Sequence, residues 1–325
     1  MMRVDVACFG EILWDVFEAE RAPRGDPIAR VFRRELGGAP ANVAVDLARV
    51  GVRAAVVGGV GRDAFGVALE RALAREGVVT DGLVRLPSRT GLAFVRRDER
   101  GEPSFLFYRH ETADMMVRAR DLSPFRAKWA LVGTSTMLDP GLAEATRAFL
   151  RHARRGGAAI VVDLNVRAHL WKSPTVMRAR IAELLRHADL VKGSAPDLRA
   201  VGGERFLKKH APNATWVLTD GASSARAVGA HGEVVVPATP VKCVDATGAG
   251  DAFIAGVLAA LLAANARPGR RAFRDPQVFA EALAVGHKLG AKAVSRPGAV
   301  AGLVGLGAAL AALRRIARHS SKRSP

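Results

Sequence analysis

Short apolar runs alternate with longer stretches of helical spacing along most of the chain. Val4–Gly10, Arg53–Gly58, Trp129–Gly133, Ala158–Asp163, Asp189–Lys192 and Thr215–Thr219 read as short buried strands. Pro40–Val50 sets Val43, Leu47 and Val50 on one helical face, with Gly51 as its stop. Asp63 is placed to cap a helix that ends near Gly77, and Pro140–Arg155 and Ser173–His187 read as further helices. Strands alternating with helices of this length predict an α/β fold, a mostly parallel sheet covered on both faces. Ligands of such sheets bind outside the carboxyl ends of the strands. Two stretches break the alternation. Val16–Leu36 is polar without a helical stripe, and Thr90–Arg109 reads as Gly91–Arg97 and Ser104–Arg109 around an Asp98-Glu99-Arg100-Gly101 turn. Together they predict a small β element at the sheet edge, placed to act as a lid.

The length allows one or two domains; one is expected over 1–318, with lid segments at about 12–36 and 90–109. The basic residues 319–325 are expected to be a disordered tail. Cys8 and Cys243 have neither metal-ligand nor redox spacing, which fits a reducing cytoplasm. No secretory signal is expected, because Asp5, Glu11 and Asp15 interrupt the apolar start. The longest uncharged apolar run, Ala252–Ala264, is too short to span a bilayer, so no membrane partner is expected.

The net charge of +18 raises the question of a polyanionic partner. Arginine far outnumbers lysine, and the excess is spread along the chain apart from one compact basic end, Arg314–Arg323. Aromatic residues are not interleaved with the basic ones, so stacking platforms for bases are missing. The charge reads as bulk surface rather than as a nucleic-acid interface.

The most informative segment is Asp245-Ala246-Thr247-Gly248-Ala249-Gly250-Asp251, followed at once by an apolar helix. Gly248, Ala249 and Gly250 are small enough for backbone N–H groups to point into one concavity at a helix N-terminus, a ready anion site. A carboxylate is a poor phosphate ligand, so Asp251 at that mouth needs a reason. One is general-base attack by a substrate hydroxyl on a phosphoryl group; the other is a simple helix cap.

Gly37-Gly38-Ala39-Pro40-Ala41-Asn42 is a second constellation. Its glycines allow close backbone approach, and Asn42 offers a donor and an acceptor suited to a polyol. An ordinary strand-to-helix turn has the same composition. A third stretch, Gly58–Ala64, meets the loose dinucleotide pattern at Gly59, Gly61 and Ala64, with Asp81 downstream. It is not the first strand-to-helix turn, and no clear second strand precedes Gly82, which argues against that reading. Further polar groups fall just past strand ends: Asp15; Asn165 and Arg167; Ser194 and Asp197; Thr219, Asp220 and Gly221.

These motifs together resemble the PfkB, or ribokinase-like, family of carbohydrate kinases from Val4 to about Val300. Gly37–Gly51 resembles its first signature and Asp245–Asp251 its second. The resemblance implies a ribokinase-like fold with a small β lid and ATP-dependent phosphorylation of a primary alcohol of a sugar. It implies Asp251 as catalytic base and the 248–250 amides as anion hole. Asp15, Gly37, Gly38 and Asn42, with Arg109 and Arg167, are implied as sugar contacts. ATP is implied to meet Lys192, Ser194, Thr219, Gly221, Gly248, Gly250 and His287. Magnesium is implied near Asp197 through water, where Ser194 and Asp197 depart from the family's usual Asn-x-x-Glu. A monovalent cation, potassium, is implied at Asp245 and Thr247. Gly10–Asp15, the Gly-Gly-Ala-Pro turn, Phe107-Tyr108-Arg109 with Ala113-Asp114-Met115, and Asp163–Arg167 with Leu170-Trp171 resemble fructokinases. The last is shared with 2-keto-3-deoxygluconate kinases. Sugar and ATP are thus the expected partners, with a homodimer as the assembly left open.

Overall fold

A computed structural model describes residues 1–20, 28–97, 103–296, 298–303 and 305–323. The Asp98–Gly101 turn, and parts of the lid and chain end, lie outside the described residues. The chain opens with β1 (Met2–Arg3), β2 (Val6–Phe9), β3 (Leu13–Glu18) and β4 (Phe32–Gly37). Helix α1 (Ala39–Arg49) follows, then β5 (Ala54–Gly61), α2 (Ala64–Arg75) and β6 (Val79–Leu86). Next come β7 (Gly91–Arg97), β8 (Pro103–Tyr108), the short α3 (Ala113–Met116) and β9 (Phe125–Arg126). The centre holds β10 (Trp129–Gly133), α4 (Pro140–Arg155), β11 (Ala159–Asp163), α5 (Pro174–Leu185) and β12 (Leu190–Ser194). Helices α6 (Ala195–Val201) and α7 (Glu204–His210) lead to β13 (Thr215–Thr219), β14 (Ser224–Gly229) and β15 (Gly232–Pro237). Helices α8 (Ala249–Ala263), α9 (Pro276–Ala293) and α10 (Gly307–Arg323) complete the described chain.

The main sheet has nine strands in the order β15-β14-β13-β12-β11-β10-β2-β5-β6. Strands β13 through β6 pair in parallel, and the β14–β15 hairpin joins β13 antiparallel. Central strands such as Val6–Phe9 are buried at every position, because successive side chains enter opposite cores. Val6 and Cys8 pack with α1, α8, α9 and α10, whereas Ala7 and Phe9 pack with α4 and α5. Helix α8 is apolar all round and buried from Asp251 to Leu261, as a helix beneath other helices must be. A separate four-stranded sheet, β4-β3-β7-β8, forms the expected lid element. Its β3–β4 and β7–β8 pairs are antiparallel and β3–β7 is parallel.

One sequence expectation needs correction here. The stretch before Gly82 is a strand, β6, paired in parallel with β5. It sits half-buried at the sheet edge, so Thr80, Asp81 and Gly82 hide any apolar run. Gly59 packs against the Ala113 carbonyl and Gly61 against Thr90, which leaves neither backbone facing a phosphate. Near the chain end, α10 runs to Arg323. Its Ala309, Ala312, Leu313 and Ile316 form a buried stripe, and the Ser320 hydroxyl donates to the Ala264 carbonyl.

Candidate active site

The strand order reverses at β2, which has β10 on one side and β5 on the other. A crevice at such a reversal is the usual ligand site of an open α/β sheet. A cavity of about 630 Å³ opens there, between the strand ends, α1, the start of α8 and lid strand β8.

Gly248 begins α8 in the left-handed region at φ +76°, and a Cβ there would lie 2.4 Å from the Ala299 carbonyl oxygen. Only glycine fits. The Ala249 amide donates to the Ala246 carbonyl at 3.2 Å, so it is spent on the turn. The Gly248, Gly250 and Asp251 amides have no protein acceptor among the described residues and remain open at the positive end of the helix. Lys192, in the middle of β12, is buried with its Nζ against Gly250; a Cβ on Gly250 would lie 2.8 Å from it. Lys192 Nζ sits 3.1 Å from Asp163 Oδ1. Burial opposes its charge, yet Asp163, Asp197 and Asp251 hold its pKa above the ordinary lysine value. Burial also pushes Asp163 up to about 6, against the pull of Lys192. A buried cation and free amides thus share one anion-binding corner.

Asp251 lies on the first turn of α8, where its Oδ2 accepts a 2.9 Å hydrogen bond from Asn42 Nδ2 of α1. Burial raises its pKa, while the Asn42 bond, Lys192 and Arg167 pull it back. Asp15 on β3 is 5% exposed, and burial with nearby Asp251 and Glu11 pushes it up to about 8. Gly37 packs against the Asp15 carboxyl and Gly38 against the Glu11 carbonyl; neither place has room for a Cβ.

Arg167 lies over the Phe105 ring at 5.5 Å and borders the cavity. Arg109 also borders it, but both Nε and Nη2 bond Asp114 Oδ2 at 2.7 Å, so its charge is neutralised locally. Residues that sequence reading left out of the site include Glu11, whose Oε2 accepts from Ser135 Oγ at 2.6 Å. Asp163, Phe105 and Phe107 also line the cavity. Glu11 directly follows the first strand, which was the available signal.

Other expected residues lie apart. Asp197 and Ser194 form a capping box on α6. Asp197 Oδ2 accepts from the Ser194 amide and hydroxyl, and Oδ1 from the Val166 amide. Both oxygens accept from structural donors, so the carboxylate caps α6. Among the described residues there is no cluster of three or more His, Cys, Asp or Glu arranged for a metal. Asp245 ties its loop together: Oδ1 accepts from the Thr247 amide and hydroxyl, and Oδ2 from the Gly298 amide. Thr219 ends β13, and Gly221 turns the chain into β14 at φ +52°. His287 Nε2 lies 3.1 Å from the Val236 carbonyl of β15, and its ring meets Phe253 edge-on. Thr219, Gly221 and His287 surround the β14–β15 hairpin and lie outside the 630 Å³ cavity.

A buried carboxylate beside an anion-binding helix start, under a β lid, defines an α/β phosphotransferase. The chain belongs to the pfkB family of carbohydrate kinases, whose sequence pattern matches residues 3–304. It is 36% identical to a fructokinase of Klebsiella pneumoniae over 279 residues, 82% of this chain and 88% of that one. It superposes on a fructokinase of Xylella fastidiosa with bound ATP at a TM-score of 0.81 and 31% identity, covering 98% and 99% of the two chains. A fructokinase of Vibrio cholerae, in a form with fructose, ADP and calcium ion bound, gives a TM-score of 0.81 at 29% identity over 96% and 99%. Among the described residues no helix is long and apolar enough to cross a membrane.

Proposed function

We propose that this protein transfers the γ-phosphoryl group of ATP to the primary hydroxyl of fructose. The observation that carries the reading is the Asp251 carboxylate, held by Asn42 next to the open amides of α8 and the Lys192 ammonium. In this mechanism Asp251 accepts the proton of the sugar hydroxyl as its oxygen attacks the γ-phosphorus. The bond from that phosphorus to the bridging oxygen breaks, and ADP leaves. Asn42 orients the base. The Gly248, Gly250 and Asp251 amides and Lys192 stabilise charge on the transferring group, with Asp163 fixing Lys192 in place. Phe105 and Phe107 on the lid exclude water from the reacting atoms.

Magnesium enters with the nucleotide as part of the MgATP substrate and keeps most of its waters, through one of which Asp197 would meet it. The rest of the nucleotide is assigned to the side of α8 that carries Thr219, Gly221 and His287, and a potassium ion to the Asp245–Thr247 loop.

The sugar end carries little net positive charge, with Asp15 holding its proton up to about pH 8. Asp15 and Glu11 face the cavity, Arg109 is neutralised by Asp114, and Arg167 remains the cation at the rim. That balance suits a neutral polyol and opposes a sugar acid such as 2-keto-3-deoxygluconate. The fructokinases named above support the same choice. A coupled assay tests it: ADP release should require fructose, stop with a chelator and return with magnesium. ADP release at the same rate without sugar would contradict it.

A further inference from the structure

A larger cavity, about 950 Å³, lies at the far end of the molecule. It opens between the end of α8, the turn Arg271–Arg274, the start of α9 and the last turns of α10. Asp251 stands at one end of α8 and Ala264 at the other, roughly 20 Å apart at 1.5 Å per residue. The cavity is therefore separate from the catalytic one. A second hollow of about 230 Å³, beside the amino end of β11, shares Arg270 with it.

Arginines dominate this surface. Arg270, Arg271 and Arg274 line the larger cavity, and Arg267 and Arg270 the smaller. Among the described residues, none of these four guanidiniums has an ion pair or a hydrogen bond to the protein. Some arginines elsewhere are matched, such as Arg49 with Glu76, Arg85 with Glu70, Arg147 with Glu183, and Arg226 with Glu204 and Glu233. The acids nearest the four have other roles. Asp275 Oδ1 caps α9 by accepting from the Gln277 amide, Glu281 accepts from the Gln277 side chain, and Asp189 is held by Arg154. Four like charges within eight residues repel one another, and a bound anion relieves that repulsion. The floor of the cavity is apolar, formed by Ala264, Val278 and the buried Ile316.

We propose that this groove is a second binding site, for a small phosphorylated organic anion. Its phosphates would lie on Arg270, Arg271 and Arg274, and its apolar portion on Ala264, Val278 and Ile316. Guanidinium forks match phosphate oxygens in pairs, which lysines do not. The volume falls in the range of small-ligand sites. A nucleic acid fits less well, because among the described residues no exposed Phe, Tyr or Trp lines the groove; Phe273 is buried.

The test is calorimetric titration with ADP and with inorganic pyrophosphate at physiological salt. The proteins are wild type, a triple variant Arg270→Ala, Arg271→Ala, Arg274→Ala, and the same three positions changed to Lys. Wild type should bind two equivalents of ADP and the alanine variant one, with its sugar-kinase kcat/KM unchanged within about two-fold. The lysine variant should lose at least ten-fold in affinity at the groove, and pyrophosphate should bind there more weakly than ADP. One ADP equivalent in wild type would overturn the proposal. So would a lysine variant equal to wild type, which would show diffuse charge instead of a site. Salt-resistant binding of a 20-base-pair DNA duplex, lost in the alanine variant with ADP at one equivalent throughout, would replace it with a nucleic-acid surface.

Discussion

Asn42 donates a 2.9 Å hydrogen bond to Asp251 across 209 positions of sequence. The bond joins the first residues of α1 to the first turn of α8, and so joins the sugar-side loop to the anion-binding loop. It holds the base in one orientation and partly offsets the burial that raises its pKa. Asn42→Ala is expected to raise that pKa further, because a hydrogen bond that favours the charged form is lost. The acid limb of the kcat/KM profile should move to higher pH. An unmoved limb would mean that the bond does not act on the base.

Asp251→Asn keeps the shape and removes the proton acceptor. kcat should fall by about 10²–10⁴, with ATP affinity and melting temperature close to wild type. Near-normal turnover in a folded Asn variant would remove Asp251 from the chemistry.

Gly250→Val places a side chain where Lys192 Nζ lies. Lys192 can swing aside, so the fold should survive. Turnover should fall by about 100-fold or more, because the cation and the open amides no longer share one corner. Retained turnover would reduce the loop to a structural turn.

Asp15 carries a stability cost that can be read by pH. Its carboxyl is held up to about 8, by burial first and then by Asp251 and Glu11. The folded protein therefore grips that proton more tightly than the unfolded chain. This contribution is fully present below about pH 4 and is lost as pH rises through 8. Asp15→Asn should leave the melting temperature unchanged at pH 4 and raise it by about 5 °C at pH 8. The same variant should raise KM for fructose by about 10-fold or more while leaving ATP affinity alone. A melting difference that does not change with pH would contradict the assignment.

Removing residues after Leu313 cuts α10 and uncovers the site of Ile316. A loss of about 2–5 kcal/mol is expected for deleting such buried packing. The melting temperature should fall, while kcat/KM at 25 °C stays within a few-fold. Loss of activity in a protein that remains folded would tie the helix to the site.

The central elements could be read closely from the residues. Trp129–Gly133, Thr215–Thr219 and Pro140–Arg155 match their observed spans, because strands buried on both faces and a Pro-started helix write continuous, unambiguous patterns. The half-buried edge strand β6 and the β14–β15 hairpin escaped, since their apolar positions are diluted by polar outward-facing ones. Helix α10 was hidden by its arginines, although Ala309, Ala312, Leu313 and Ile316 carry the spacing of an amphipathic face. Within the site, Asp251, Asn42 and Asp15 stood out by residue type and position. Glu11 did not, because its partner Ser135 is brought to it only when β2 and β10 pair. Asp197 caps α6, and a carboxylate past a strand end looks the same in sequence whether it faces a ligand or caps a helix.

The most direct measurement is the ratio of kcat/KM across a panel of acceptors in a coupled ADP-release assay. Fructose, 2-keto-3-deoxygluconate, ribose and adenosine should be compared at saturating MgATP. A cavity lined by Asp15 and Glu11, with Arg109 neutralised by Asp114, should favour fructose over each of the others by about ten-fold or more. A sugar acid phosphorylated at least about ten times more efficiently than fructose would contradict the assignment of substrate.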